Sequence, residues 1–254
     1  MLETRVIPIL LLKKQALVKT KRFRKFDYVG DPCNTIRIFN ELEVDELFVL
    51  DIDATPSRCV PNFKVLQEIA EECFMPLGYG GGITSLEQAK KIFDIGFEKI
   101  SLNSIVFETP GLVTEISNYF GSQSVVISVD VKKSLLGKYF VYSHSGKVRN
   151  PFSPVDWVKQ VETLGCGEIL LTSIDREGSW SGFDLELVSQ VTNAVSVPVI
   201  AHGGAGNLDH LSEVVRLSKA SAVALGSMVV YQKKDMGVLV NFPDKTELSV
   251  ALKK

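Results

Sequence analysis

The chain has 254 residues, 45% of them hydrophobic, which is enough to bury a sizeable core and is a usual length for one α/β barrel domain, here read as residues 1–254. Twenty-eight basic and thirty acidic residues leave a formal charge of −2, and the sequence is read as lacking a basic block or aromatic–basic interleaving, so no nucleic-acid partner is expected. The N-terminal apolar run from Val6 to Leu12 is bounded by Arg5 and Lys13 and is too short for a signal peptide or a membrane helix, so a cytoplasmic protein without membrane contact is expected.

Short β-branched runs alternate with stretches of helical period, the pattern of parallel strands joined by helices. Strands are predicted at about 5–12, 46–51, 76–79, 99–103, 124–130, 168–173, 197–201 and 222–226. Helices are predicted at 32–43, 62–74, 85–95, 110–119, 154–164, 184–193 and 207–218, with Thr84, Ser153 and Asn207 as N-caps. Ile83, Ala89, Ile92, Phe93 and Ile95 would form a stripe packing on the outside of the sheet. Residues 136–148 read as a hairpin inserted after the fifth strand, turning at Gly137 and Gly146. After the eighth strand, Gly237, Pro243 and the β-like Val238-Leu239-Val240 make the last helix short, displaced or absent. Cys33, Cys59, Cys73 and Cys166 have no CxxC spacing and read as reduced, buried or half-buried thiols; no metal and no cofactor are expected.

The chain also repeats itself. Leu11 stands where Asp130 stands in the second half, at an offset of 119, and Asn103-Ser104 answers Gly226-Ser227 at 123. Gly80 to Gly82 answer Gly203 to Gly206 at about 123, and Asp51 answers Asp175 at 124. Eight βα units with a twofold repeat predict a closed (β/α)8 barrel, an α/β TIM barrel whose strands have no exposed edge. An open doubly wound sheet is disfavoured, because the glycine-rich turns follow the third and seventh strands rather than the first. The functional end of such a barrel is the C-terminal end of its strands. There Gly81-Gly82 and Gly203-Gly204 offer backbone amides unobstructed by side chains, and Asn103-Ser104 and Gly226-Ser227 add donors from the next strand over. Two such cradles predict a small-molecule ligand with two phosphates.

Gly-Asp-Pro at 30–32, Leu-Asp-Ile-Asp-Ala at 50–54, Gly-Gly-Gly-Ile at 80–83, Phe-Gly-Ser-Gln-Ser-Val-Val at 120–126, the run Gly167 to Gly178 and Ile-Ala-His-Gly-Gly-Ala-Gly at 200–206 resemble HisF, the cyclase subunit family of imidazole glycerol phosphate synthase, over about residues 1–230. The resemblance implies a barrel that binds the doubly phosphorylated substrate PRFAR, receives ammonia from a HisH-like glutaminase in a heterodimer, and makes imidazole glycerol phosphate and AICAR. It also implies Asp130 as one of two proton-handling aspartates, and Lys19, Asp51, Gly81, Gly82, Asn103, Ser104, Asp175, Gly178, Gly203, Gly204, Gly226 and Ser227 as ligand contacts. Arg5, Glu46, Lys99 and Glu168 match the charged ring through which ammonia enters. The first aspartate falls on Leu11, which handles no proton, with Asp53 nearby as a substitute; Trp180 and His202 are further departures that would reshape the pocket. The first strand Leu-Leu-Leu-Lys-Lys followed by Leu-Val-Lys-Thr and Tyr-Val-Gly-Asp-Pro is similar to the glycosyl amidation-associated, WbuZ-type branch. That branch implies a barrel that passes ammonia to a separate sugar amidotransferase in surface-polysaccharide synthesis. A working cyclase and a non-catalytic interaction scaffold are the rival readings.

Overall fold

The computed structural model describes residues 4–253; the ends of the expected 1–254 span, residues 1–3 and 254, lie outside it. Eight parallel strands close into a barrel in the order β1 (Arg5–Lys13), β4 (Leu47–Asp51), β5 (Leu77–Gly80), β6 (Lys99–Leu102), β7 (Val125–Lys133), β10 (Glu168–Ser173), β11 (Val199–His202) and β12 (Ala222–Leu225). Closure comes from β12 pairing with β1, Arg5 opposite Ala222. These strands are apolar on both faces because both are covered. On β1, Ile7, Ile9 and Leu11 join Phe48, Val126, Leu170 and Ile200 in one buried cluster inside the barrel. Val6, Leu10 and Leu12 point the other way, into the larger cluster under the helices.

The helices form an outer layer: α1 (Pro32–Glu41), α2 (Phe63–Glu72), α3 (Leu86–Ile95), α5 (Gly111–Phe120), α6 (Pro154–Thr163), α7 (Leu185–Thr192) and α8 (Leu208–Ser218). Asp31, Asn62, Ser153, Asp184 and Asn207 each accept from an amide of the first turn, the capping arrangement that satisfies an otherwise orphaned donor. The cap of α3 is Ser85 rather than Thr84, because the Ser85 hydroxyl accepts from Gln88 N while the Gln88 side chain reaches back to Thr84 N. Ala89 and Ile92 bury completely, and Ile83, Phe93 and Ile95 pack around them, as the stripe predicts.

Four features depart from or add to the sequence expectations. A hairpin of β2 (Ala16–Lys21) and β3 (Arg24–Gly30) continues from β1, where no strand was predicted. The expected insertion after the fifth strand is a meander: β7 runs on to Lys133 and pairs with β8 (Tyr139–Ser143), which pairs with the short β9 (Val148–Arg149). A short helix α4 (Ser104–Glu108) follows β6. The last unit is both short and displaced: α9 (Ser227–Val230), a bridge from Tyr231 to Val238, and α10 (Lys245–Leu252). Three of the four cysteines are buried or half-buried, but Cys59 is exposed.

The strand register measures the internal repeat directly. With Leu102 and Leu225 equivalent at the 123 spacing of the repeat, their partners Ile127 and Pro8 stand 119 apart, which puts Leu11 at the place of Asp130. Leu11 pairs with Leu50 and Leu50 with Gly80; Asp130 pairs with Thr172 and Thr172 with His202. Gly80 therefore corresponds to His202, Gly81 to Gly203 and Gly82 to Gly204, one residue off the pairing read from the sequence. Likewise Asp51, opposite Leu12, corresponds to Ser173, opposite Val131, and not to Asp175.

Inside the barrel the fully buried Phe48 ring occupies the space that a side chain at Gly78 would fill: a Cβ there would lie 2.3 Å from the ring. Gly78→Ala is expected to cost about 1–3 kcal/mol through overpacking, and the pair Phe48→Leu/Gly78→Ala to recover most of it in denaturant titrations. Equal stability of Gly78→Ala and wild type would mean that the ring moves aside freely.

Candidate functional site

A cavity of about 360 Å³ opens at the C-terminal ends of the strands, lined on one side by Gly80 to Gly82, Asn103 and Ser104 and on the other by Asp130, Thr172 and His202. Leu11 lines it from β1, Leu50 and Asp51 from the end of β4, and Asp53 from the loop that follows.

Asp130, Thr172 and His202 are successive register partners on β7, β10 and β11, and all three are buried. Asn103 Nδ2 donates to Asp130 Oδ2 at 3.0 Å, and Thr172 Oγ1 lies 3.2 Å from His202 Nδ1. Burial pushes the Asp130 carboxyl up to about 7, against the opposing pull of Thr172 and Asn103. Burial, helped by the Lys19 ammonium, pushes His202 down to about 3, so the imidazole is neutral. The sequence reading missed this row as a unit. Its signal is that the three residues occupy the same inward-facing level of three adjacent strands.

Asp130 has a consequence for stability. The unfolded carboxyl titrates near 3.8 and the folded one near 7, so between those values the folded state holds a proton that the unfolded state has lost, and stability falls as pH rises through the window. Asp130→Asn removes this cost. It is expected to raise the thermal midpoint relative to wild type at about pH 8, by the equivalent of a few kcal/mol, and to change little at about pH 4. A midpoint difference independent of pH would refute the buried, proton-holding carboxyl.

Leu11 offers the opposite environment. It is 6% exposed and sits in the apolar cluster inside the barrel, with Val18, Leu50 and Ile52 packed against that cluster. Asp53, the candidate substitute, and its neighbour Asp51 both reach the cavity, and Asp51 Oδ1 is engaged by the amides of Asp53 and Ala54 at 2.9 and 3.0 Å. Burial raises the Asp51 pKa, with those two amides pulling it back.

The two glycine runs share their backbone geometry. Gly81, Gly82, Gly203 and Gly204 all have positive φ, and each run packs under the preceding loop: a Cβ on Gly81 would meet Asp51 O at 2.4 Å, and one on Gly204 would meet Gly182 O at 2.1 Å. Side chains are excluded there on steric grounds. Asn103 and Gly226, at the start of α4 and α9, share an unusual conformation, φ/ψ −135/−88 and −110/−93, with no side-chain cap on either helix.

The cradles nevertheless differ in access. The first opens on the cavity. Gly203, Gly204, Gly226 and Ser227 do not line it: Gly203 and Gly204 lie against the loop after β10, and Gly226 has Lys19 Nζ where a Cβ would be, at 2.3 Å. Lys19 is 2% exposed, not a solvated lysine, and lies 3.7 Å from Glu177; burial lowers its pKa and Glu177 opposes that. Glu177 in turn receives the amides of Arg22, at its carbonyl, and Phe23, at Oε2, from the tip of the β2–β3 hairpin. Gly178 packs against Thr20 of that hairpin. Asp175 stands apart, in a groove with Lys133, Arg176 and Glu186, and accepts from Lys133 N at 2.8 Å. The Ser104 hydroxyl accepts from His144 N at 2.9 Å. Trp180 lines none of the cavity, contrary to expectation; its backbone covers Gly206.

At the opposite end of the barrel Arg5, Glu46, Lys99 and Glu168 form a closed ring of alternating charge. Arg5 donates to Glu46 and Glu168 at 2.5 Å each, and Lys99 to the same two carboxylates at 2.7 and 3.0 Å. Burial works against the Arg5 charge, but the two carboxylates more than offset it and its pKa is raised. Among the described residues no cluster of His, Cys, Asp and Glu converges as a metal site, and no helix is long and apolar enough to cross a membrane.

A family profile described as "Histidine biosynthesis protein" matches residues 5–235. A Pseudomonas aeruginosa protein carrying the provisional name imidazole glycerol phosphate synthase subunit hisF2 is 48% identical over 250 residues, 98% of this chain and 100% of that protein. The chain belongs to the HisF family. An Exiguobacterium protein named imidazole glycerol phosphate synthase subunit HisF is 40% identical over 229 residues, 90% of this chain and 89% of that one. A Leptospira borgpetersenii protein, again provisionally named subunit HisF, is 43% identical over 248 residues, 97% of this chain and 98% of its own length. In this HisF-family chain the cavity, the inward row and the charged ring lie on one barrel, with an apolar side chain at Leu11.

Proposed function

We propose that this HisF-type subunit docks and activates a HisH-like glutaminase and conducts the released ammonia through the barrel to a separate sugar amidotransferase of surface-polysaccharide or nonulosonate synthesis. The observation that carries the reading is the contrast between the barrel's ends. Four ion pairs close the ring at one end, while at the other Leu11 continues the apolar interior where ring closure would need a second proton-handling group. A mutually neutralised ring can part to admit a small polar molecule without leaving an isolated buried charge. Asp130 then serves as a channel or ligand residue, and Gly81, Gly82, Asn103 and Ser104, which line the cavity, as contacts for a phosphorylated ligand; Lys19, held on Glu177, is not one of them. The test is reconstitution: glutamine with an isotope-labelled amide is supplied to this chain, its glutaminase and a sugar amidotransferase. Label in the aminated sugar that depends on all three proteins supports the reading; label in imidazole glycerol phosphate from the first two alone overturns it.

The second reading is an active cyclase subunit of imidazole glycerol phosphate synthase. What favours it is Asp130 itself, buried beside Asn103 and Thr172 with a pKa near 7, suited to general acid–base work at neutral pH.

A further inference from the structure

We propose that the two hairpins around the cavity form the docking surface for the enzyme that consumes the ammonia, a protein presenting an acidic face with an apolar recess. The inference rests on the conducting role proposed above.

Its basis is a charge separation hidden by the near-zero total. Residues 13–30 and 131–149 carry twelve basic residues and one acidic, Asp27, leaving sixteen basic and twenty-nine acidic in the rest of the chain. The hairpin stretches thus hold a formal +11 and the remainder −13. The stretch Lys13 to Lys25 is a basic block that the sequence reading overlooked. Both hairpins extend from the C-terminal ends of barrel strands, β2–β3 from β1 and β8–β9 from β7. They meet over the cavity, where Phe23 packs against Gly146. Lys19 is buried on Glu177 and Lys133 pairs with Glu186; the other ten cations have no carboxylate within 4.0 Å among the described residues.

Apolar side chains protrude among these charges. Leu135 and Leu136, at the tip between β7 and β8, are fully or almost fully exposed, and Tyr28 on β3 is 68% exposed. None of the three lines the cavity. A small phosphorylated ligand accounts for Lys13 and Lys147, which do line it, but not for leucines and lysines turned away from it. An apolar centre with a charged rim is the make-up of a protein interface, and an unneutralised basic field steers an acidic partner. The position supplies a further reason: ammonia leaving the barrel escapes to water unless the acceptor covers this opening. A bilayer over the same opening would close it.

The experiment uses the full chain with its glutaminase and the acceptor amidotransferase. Leu135→Ser/Leu136→Ser and Lys25→Glu/Lys138→Glu alter neither the ring nor the cavity wall. Titration calorimetry against the acceptor enzyme is expected to show at least ~10-fold weaker binding for each variant, equivalent to the loss of one or two interface anchors. Glutamine hydrolysis by the chain–glutaminase pair is expected to stay unchanged, and added salt to weaken the wild-type complex. Unchanged affinity in both variants overturns the proposal. So does loss of binding to phosphatidylglycerol-containing vesicles with acceptor affinity intact, which would assign the surface to lipid. Because binding is read directly, failure of ammonia transfer with docking intact counts against the conducting role and not against this surface.

Discussion

Leu11→Asp is expected to raise ring closure by about 10²–10⁴-fold when the chain is supplied with PRFAR and ammonium salt, the range a positioned acid or base contributes, from a wild type whose turnover is slow or undetectable. The position is right because Leu11 corresponds through the strand ladder to Asp130 and lines the same cavity. A carboxylate there replaces a buried apolar side chain, so the variant will be less stable. Leu11→Asn carries a similar penalty without a titratable group and separates chemistry from packing. Since Asp130 holds its proton up to about pH 7, the gained activity should change slope near that pH, as expected when one partner works as acid and the other as base. Ring closure by the wild type at the rate of Leu11→Asp would end the conducting interpretation. If Asp53→Asn then abolished that activity, Asp53 would be the substitute base.

The second large effect belongs to the ring. Glu46 is almost fully buried and binds both Arg5 and Lys99. Glu46→Ala leaves two cations to share Glu168 alone, and breaking a buried pair from one side costs about 3 kcal/mol or more. In a chain of this size that corresponds to a fall of roughly 6–12 °C in the thermal midpoint, measurable by circular dichroism. Lys99→Met tests the conducting role more directly, because it removes one charge and keeps the aliphatic stem. Glutamine hydrolysis is expected to persist while the share of its nitrogen recovered in the aminated sugar drops. Unaltered recovery with Lys99→Met, together with an unaltered midpoint for Glu46→Ala, would show that the ring neither holds the floor together nor governs passage.

Much of the fold was legible because the barrel strands follow a simple rule, apolar on both faces and bounded by polar caps. All eight appeared within a few residues of their predicted places, and so did the seven longer helices between them. The β2–β3 hairpin was not legible: Lys19, Lys21, Arg24 and Lys25 interrupt its alternation, and Lys19 is buried only because Glu177 comes from a loop more than 150 positions away. The site was legible by type but not by partnership. The glycine runs were found, yet their register was set one residue wrong, since only hydrogen-bonded pairing reveals that His202 stands where the other half has Gly80. The contacts of Asp130 with Asn103 and Thr172 likewise depend on strands brought together by closure.

If ammonia crosses the barrel as proposed, the aromatic ring of Phe48, seated over Gly78 inside it, makes transit a question of timing. It lies among the packed interior side chains, between the charged floor and the cavity, so on that reading a solute as small as ammonia would advance only when the ring reorients. A ring in a close-packed interior turns only when its neighbours give way. Delivery would then be metered one molecule at a time, and a smaller side chain at position 48 would quicken leakage from an unoccupied complex without touching either end of the path.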